Sequence, residues 1–583
     1  MHKSITQHMD IWTSAQAPKA KGGRGRKKNT NGQTQYGIKK LRELILDLAV
    51  RGKLVPQDPD DEPAGVLLER IAKEKARLVK EGKIKKQKKL PAIAEEDEPL
   101  GLPEGWAACK LRDVCTISMG QSPKGNTYND RGKGVPLVNG PVEFGGNNPF
   151  DKTTAVKYTT SPTKMCKKGD LLLCVRGSTT GRTNVAGFDS CIGRGVAALG
   201  AFIDQDYFNY TILYNRDNFH KSGSGSTFPN ISYDKIACFP FLLPPLKEQI
   251  KISYKLDDLM ALCDRLEQEQ EDNVSTHKTL VENVLSTLTK ASGHEEFVAA
   301  WRRVSGNFDV LFTTEHSIDQ LKQAILQLAV MGKLVPQYPG NEPASVLLEK
   351  IAEEKVRLIK KGKIKKQKAL KKINEGEKVF DVPVSWEWSR IGELALFTEY
   401  GLSAKTFENI DGIPVLKMGD IQAGQILLGG QKQVSVDIEG LPGLFLKRGD
   451  LLYNRTNSAE LVGKTGLFNG PDDEYTFASY LVRIRCPERL INPEYLNIAM
   501  NTPLFRETQI VPHLKQQCGQ ANVNATIMRN MVVPIPPLDE QNLIVKKVNE
   551  LSKMCDALKY RLENTFQTQR QIADSIINEL DSM

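Results

Sequence analysis

The sequence predicts an α+β fold: two α/β globular domains joined by long antiparallel coiled-coil helices in a circular, pseudo-two-fold arrangement. Three observations carry this. Residues 41–93 return as residues 321–373 in a constant register of 280 positions, with about two-thirds of them identical. Each copy is followed by a stretch whose short apolar runs are broken by Gly, Pro, Asn and Ser, the texture of strands and tight turns. Each such stretch leads into a long amphipathic helical pattern. Two copies at so long a period do not make a solenoid; they imply two large equivalent units.

Taken in order, residues 1–37 read as a short helix with Ile5, Met9 and Trp12 on one face, then a flexible basic linker rich in Lys, Gly, Asn and Gln. Residues 38–101 are the first copy of the repeated region. Leu41, Leu44, Ile45 and Leu48 stand at helical spacing and Gly52 stops that helix. Pro63 opens a second helix, where its missing N–H costs little; Val66, Leu67, Ile71 and Leu78 form its apolar face, and it ends near Gly82 before a basic KIKKQKK tail. Residues 102–245 form the first globular domain, 246–317 a long helix and linker, 318–381 the second copy, 382–537 the second globular domain, and 538–583 the closing long helix. The two domains are diverged copies. Both open on Pro and Trp (Pro103 and Trp106; Pro383 and Trp386), both contain Gly-Asp-Leu-Leu at 169–172 and 449–452, and both close on Pro-Pro-Leu-x-Glu-Gln at 244–249 and 536–541.

The long helices carry narrow stripes: Leu256, Leu259, Cys263, Leu266, then Val281, Val284, Leu285, Leu288; and Leu551, Cys555, Leu558, Leu562, then Ile572, Ile576, Leu580. A helix of ~45 residues extends ~65 Å, and such a stripe suits pairing with a second long helix. HKSITQHM at the N-terminus resembles HKTLVENV at 277–284 and QRQIADSI at 569–576. The two ends are therefore expected to meet and complete one half of a closed frame.

A formal net charge of +10 favours an anionic partner. The ten cysteines include no C-x-x-C pair and no nearby histidine cluster, which argues against zinc or a disulfide framework and for a reducing cytoplasm. Signal-peptide and membrane-spanning patterns are lacking. No catalytic constellation is convincing. Gly463-Lys464-Thr465 echoes a phosphate loop, but Ser458 replaces its leading glycine. The Pro-Pro pairs lack the polar and aromatic neighbours with which an adenine methyltransferase holds a flipped base. Asp60-Asp61 and Asp472-Asp473 read as solvated turn residues.

The domain loops do carry a signal. The first offers Gln121, Ser122, Lys124, Arg176, Ser178, Arg182, Arg194, and Ser224, Ser226 and Asn230 in KSGSGSTFPN. The second offers Ser403, Lys405, Lys417, Arg455, Asn457, Lys464, and Lys515, Gln517, Gln520, Asn522 and Asn524 in KQQCGQANVN. Arg forks onto guanine and Asn or Gln onto adenine in the major groove, while Lys, Ser and backbone N–H groups reach phosphate.

The repeated segments (LAVRGKLVPQ and LAVMGKLVPQ, VLLERIAKEKARL and VLLEKIAEEKVRL, GKIKKQK twice) and the PPLKEQ and PPLDEQ closures resemble the specificity subunit of type I restriction-modification systems, and the type IB branch in particular. The resemblance covers essentially the whole chain. It implies two target recognition domains, each reading half of a bipartite, asymmetric site in double-stranded DNA, on helices that set the spacer. Two modification subunits, using S-adenosylmethionine to methylate adenine N6, would dock on the frame; motor-nuclease subunits using ATP and Mg²⁺ would add restriction. The chain itself would bind no cofactor, metal or membrane, would catalyse nothing, and would lie in a bacterial or archaeal cytoplasm. The alternative kept beside it is a free-standing site-specific DNA-binding regulator.

Overall fold

The computed structural model describes residues 8–16, 36–84, 101–146, 149–222, 230–291, 294–338, 340–408, 410–517 and 520–582. Ile5, most of the basic linker and most of the first KIKKQKK tail lie outside the described residues. The chain divides into two compact units, Met1–Asn273 with Thr565–Met583, and Val274–Asn564.

In the first unit, helix Tyr36–Val50 buries the predicted stripe of Leu41, Leu44, Ile45 and Leu48. Gly52 ends it at φ +71°, a left-handed conformation that disfavours a side chain; a Cβ there would also come within 2.8 Å of the Pro103 ring. Pro63 caps helix Ala64–Lys80. The globular domain is tied shut by strands Ala107–Lys110 and Pro240–Leu243, paired antiparallel. The chain thus leaves the domain where it entered it. A four-stranded antiparallel sheet runs in the order Cys115–Met119, Val196–Ala201, Leu171–Cys174, Thr183–Val185. A five-stranded sheet includes one parallel pair, in which Leu137 faces Cys191 and Val138 faces Ile192.

The second unit repeats this plan. Strands Glu387–Arg390 and Val532–Ile535 close the domain. Strands Phe397–Tyr400, Leu481–Arg485, Leu451–Asn454 and Thr465–Leu467 follow the same order, and the parallel pair recurs as Val415–Thr476 and Leu416–Phe477. Each domain also holds a helix that the strand-and-turn texture did not reveal, Gln205–Tyr214 capped by Asp204 and Pro493–Met500 capped by Asn492. Both are buried on most sides, so they lack the one-sided apolar pattern that betrays a surface helix.

The two long helices, Leu246–Lys290 and Leu538–Ser582, have 45 residues each. Their stripes are not reserved for each other. In the first unit Leu256, Leu259, Cys263 and Leu266 share a core with Ile38, Leu41, Leu44 and Leu48 of the shorter helix, with Trp12, and with Ala573, Ile576 and Leu580. Arg42 bridges this seam to Asp264 and, at 3.0 Å, to Glu267. In the second unit Val281, Leu285, Leu288, Val548 and Cys555 share a core with Leu321, Ile325 and Leu328. The segments near both chain ends meet inside the first unit: Tyr36 Oη donates to Asp574 at 2.9 Å, and Arg570 donates to the Gln16 carbonyl at 3.0 Å.

Three local expectations need correction. Tyr36 and Gly37 belong to the helix rather than the linker, because the backbone of Trp12 packs there; a Cβ on Gly37 would lie 2.2 Å from the Trp12 carbonyl oxygen. The stretch after Lys290 is not only linker: it forms helices His294–Gly306 and Phe308–Leu311. Asp61 is buried rather than solvated, 3.4 Å from Lys247 and 3.6 Å from Lys251 of the long helix. Asp60, Asp472 and Asp473 are exposed as expected.

Candidate nucleic-acid interface

In both domains the central strand begins at the Gly-Asp-Leu-Leu motif. Gly169 and Gly449 take φ of +94° and +88°. The Asp170 and Asp450 carboxylates each accept the N–H three residues back, from Lys167 and Lys447, at 2.8 Å. This local turn aims Leu171–Cys174 and Leu451–Asn454 through the core, and both strands end at the candidate loops. Asp450 also receives Arg485 at 2.6 and 2.5 Å. Beside it Arg483, despite its charge, is buried between the Phe397 and Phe477 rings, and burial lowers its pKa.

In the first domain a backbone ladder brings three loops together. The Arg194 N–H donates to Ser122 Oγ at 3.2 Å. The Val175 N–H reaches the Gly195 carbonyl, and the Ile231 N–H the Val175 carbonyl, both at 2.9 Å. Arg176 and Asn230 form an antiparallel bridge. Gln121, Lys124, Arg176, Ser178, Arg194 and Asn230 are exposed and Ser122 is half-buried. Arg182 stands apart: its guanidinium donates to the Gly146 carbonyl at 2.5 Å and lies 5.7 Å from the Phe144 ring centre. With Ser178 and Arg216 it lines a recess of about 320 Å³. Arg216 is a cation the sequence reading missed. Ser224 and Ser226 lie outside the described residues.

The second domain repeats the ladder with other side chains. The Ser479 N–H donates to the Leu402 carbonyl, and the Val523 N–H to the Arg455 carbonyl, both at 2.9 Å. Strand Thr456–Asn457 pairs with Gln520–Asn522, which pairs with Lys515–Gln517. Asn457, Lys515, Gln517, Gln520 and Asn522 therefore share one small sheet. Asn524 caps the next helix, Ala525–Asn530. Arg455 is half-buried; its Nε donates to the Ser479 carbonyl at 2.9 Å and its guanidinium lies 5.1 Å from the Tyr400 ring centre. Tyr400 and Tyr480, 44% and 48% exposed, flank it and were not singled out from sequence. Ser403 and Lys405 are exposed, whereas Lys417 is tied to Thr406 at 3.1 Å. Lys464 is directed elsewhere, lining a recess of about 740 Å³ with Lys322, Arg506 and Asp556.

The closing motif fastens each domain to its long helix. Trp106 and Trp386 donate their indole N–H groups to Glu248 and Glu540 at 3.0 Å. Gln249 and Gln541 donate to the Pro244 and Pro536 carbonyls at 2.8 and 2.9 Å and accept the N–H of Asp204 and Asn492. Burial raises the pKa of both glutamates. Pro, Trp, Glu and Gln are thus one buried junction built twice.

The two domains thus present different polar loops on duplicated scaffolds. The family model described as "Type I restriction modification DNA specificity domain" matches residues 103–276 and 383–567. The chain belongs to the specificity subunits of type I restriction-modification systems, whose contribution is sequence specificity rather than catalysis. It is 36% identical to the EcoAI specificity subunit of Escherichia coli over 597 aligned residues, covering 99% of each chain. It is likewise 36% identical to the EcoEI specificity subunit of Escherichia coli, again over 99% of both. The crystal structure of the HsdS subunit from Thermoanaerobacter tengcongensis aligns at a TM-score of 0.27 and 25% identity, over 46% of this chain and 62% of that one. Among the described residues, no helix is long and apolar enough to cross a membrane.

Proposed function

We propose that 102–245 and 382–537 are two target recognition domains, each reading one half of a bipartite, asymmetric site in double-stranded DNA. The single observation behind this is the repeated ladder that gathers unlike polar loops, Ser122–Arg194–Arg176–Asn230 in one domain and Arg455–Asn457–Asn522 in the other, on one scaffold. Like scaffolds with unlike readers suit a site whose halves differ. The repeated regions 38–101 and 318–381, with the long helices, serve as the frame. In this reading the long helices run antiparallel as a closed, pseudo-two-fold coiled coil. Their length fixes the unread spacer, as dimer geometry fixes half-site spacing elsewhere. Two equivalent frames give two modification subunits equivalent docking surfaces. Those subunits use S-adenosylmethionine, and motor-nuclease subunits use ATP and Mg²⁺, in a bacterial or archaeal cytoplasm.

The test is selection from a random duplex library by the full chain, alone and with its modification subunits. The reading expects one bipartite motif with a fixed gap from the complex. A single contiguous motif contradicts it. Tight specific binding by the chain alone, indifferent to the subunits, favours the free-standing regulator.

A further inference from the structure

Neither the half-site loops nor the domain junction uses the basic tail that follows the second frame helix. Helix Ala344–Lys360 ends at Gly362, φ +66°, and the Lys363 N–H returns to the Leu358 carbonyl at 3.0 Å. Residues 365–374 then run without helix or strand, yet they are fastened to the second domain through their main chain. Arg390, 2% exposed, donates to the carbonyls of Lys371 at 2.5 Å, Lys372 at 2.9 Å and Asn530, and to the Glu377 carboxylate. Arg529 reaches the Lys368 carbonyl at 3.5 Å. Leu370 lies over Gly392, where a Cβ would come within 2.8 Å of it.

This clamp takes up carbonyls and one leucine, and it leaves the ammonium groups outside. Lys365, Lys366, Lys368, Lys371 and Lys372 are all exposed. The nearest acids in sequence are already taken, Glu375 by Lys378 at 2.7 Å and Glu377 by Arg390 at 2.9 Å. Held close together, five like charges repel one another, and a polyanion relieves that repulsion. The position says which polyanion. Arg529 and Asn530 end the six-residue helix that Asn524 caps, a length of about 9 Å. The tail is therefore anchored about one short helix's length from the candidate loop that ends at Asn524. Lysine is a mobile point charge suited to phosphates rather than base edges.

We propose that residues 361–372 form a phosphate-binding rail that carries the duplex beyond the half-site read by the second domain, adding affinity without sequence preference. The proposal rests on the DNA-reading function above. The test uses the full chain assembled with its modification subunits, comparing wild type with K365Q/K366Q/K368Q/K371Q by fluorescence anisotropy, on target and scrambled duplexes, from 50 to 200 mM salt. Four lost phosphate contacts at about 0.9 each flatten the slope of log affinity against log salt by about 3 to 4. Target and scrambled affinities fall by the same factor, and the corresponding Lys→Arg variant restores both. An unchanged slope overturns the rail, as does loss of the modification subunits with DNA binding intact, which assigns the tail to protein contact. A wild-type complex with no preference for its target refutes the proposed function instead, while the slope still reports on the rail.

Discussion

Arg176 and Arg455 end equivalent central strands but differ in how they are held. Arg176 is exposed, so Arg176→Ala is expected to reduce target affinity by the roughly 1–3 kcal/mol of a good base contact without moving the denaturation midpoint. Arg455 donates to the Ser479 carbonyl and covers Tyr400, so Arg455→Ala is expected to lower both affinity and stability. Anisotropy and urea titration of each variant separate the two effects; a lower midpoint for Arg176→Ala contradicts the assignment. Glu248 and Glu540 give a pH signature. Their folded pKa values lie above the usual 4.5, with burial the main cause. The folded chain then holds more protons than the unfolded one just above pH 4.5, so stability falls as pH rises from there through the folded values. The E248Q/E540Q variant, which keeps an acceptor for each indole, is expected to show a shallower fall in urea midpoint across that window; equal slopes contradict it. At this scale sequence showed which residues are polar and in loops. It could not show that Lys464 lines a separate recess or that Arg182 leans on Phe144, because those directions are set by packing between segments distant in sequence.

The helices were the most legible elements. Gly52, Pro63, Gly332 and Pro343 punctuate both frame copies in the sequence itself, and the apolar spacing between them has helical period. Helices Gln205–Tyr214 and Pro493–Met500 were not legible, since burial on most sides erases periodicity. The partners of the long stripes were not legible either: a stripe says that a face is covered, not by which helix. The first long helix passes from one compact unit to the other after Asn273. Four residues inserted near Asp272, with a matching insertion near Asn564, add about 6 Å of helix, close to two base-pair steps of about 3.4 Å. The expected outcome is a recognition motif with the same half-sites and a wider gap, read by mapping methylated adenines. An unchanged gap contradicts the role of these helices as a ruler.

At the scale of the molecule, the duplication was plain from sequence because both frame copies face the same demand, while the loops between them face different ones. The closing junction shows how that division is kept. Trp106 with Glu248, and Trp386 with Glu540, fix each domain to its helix whatever its loops contain. A domain should therefore be exchangeable as a cassette. The most direct test of the two-reader account is to replace residues 382–537 with the corresponding domain of a relative and map methylated adenines across a host genome carrying the modification subunits. The account predicts that one half-site changes while the other half-site and the gap stay as they were. A motif altered in both halves, or in neither, would contradict it.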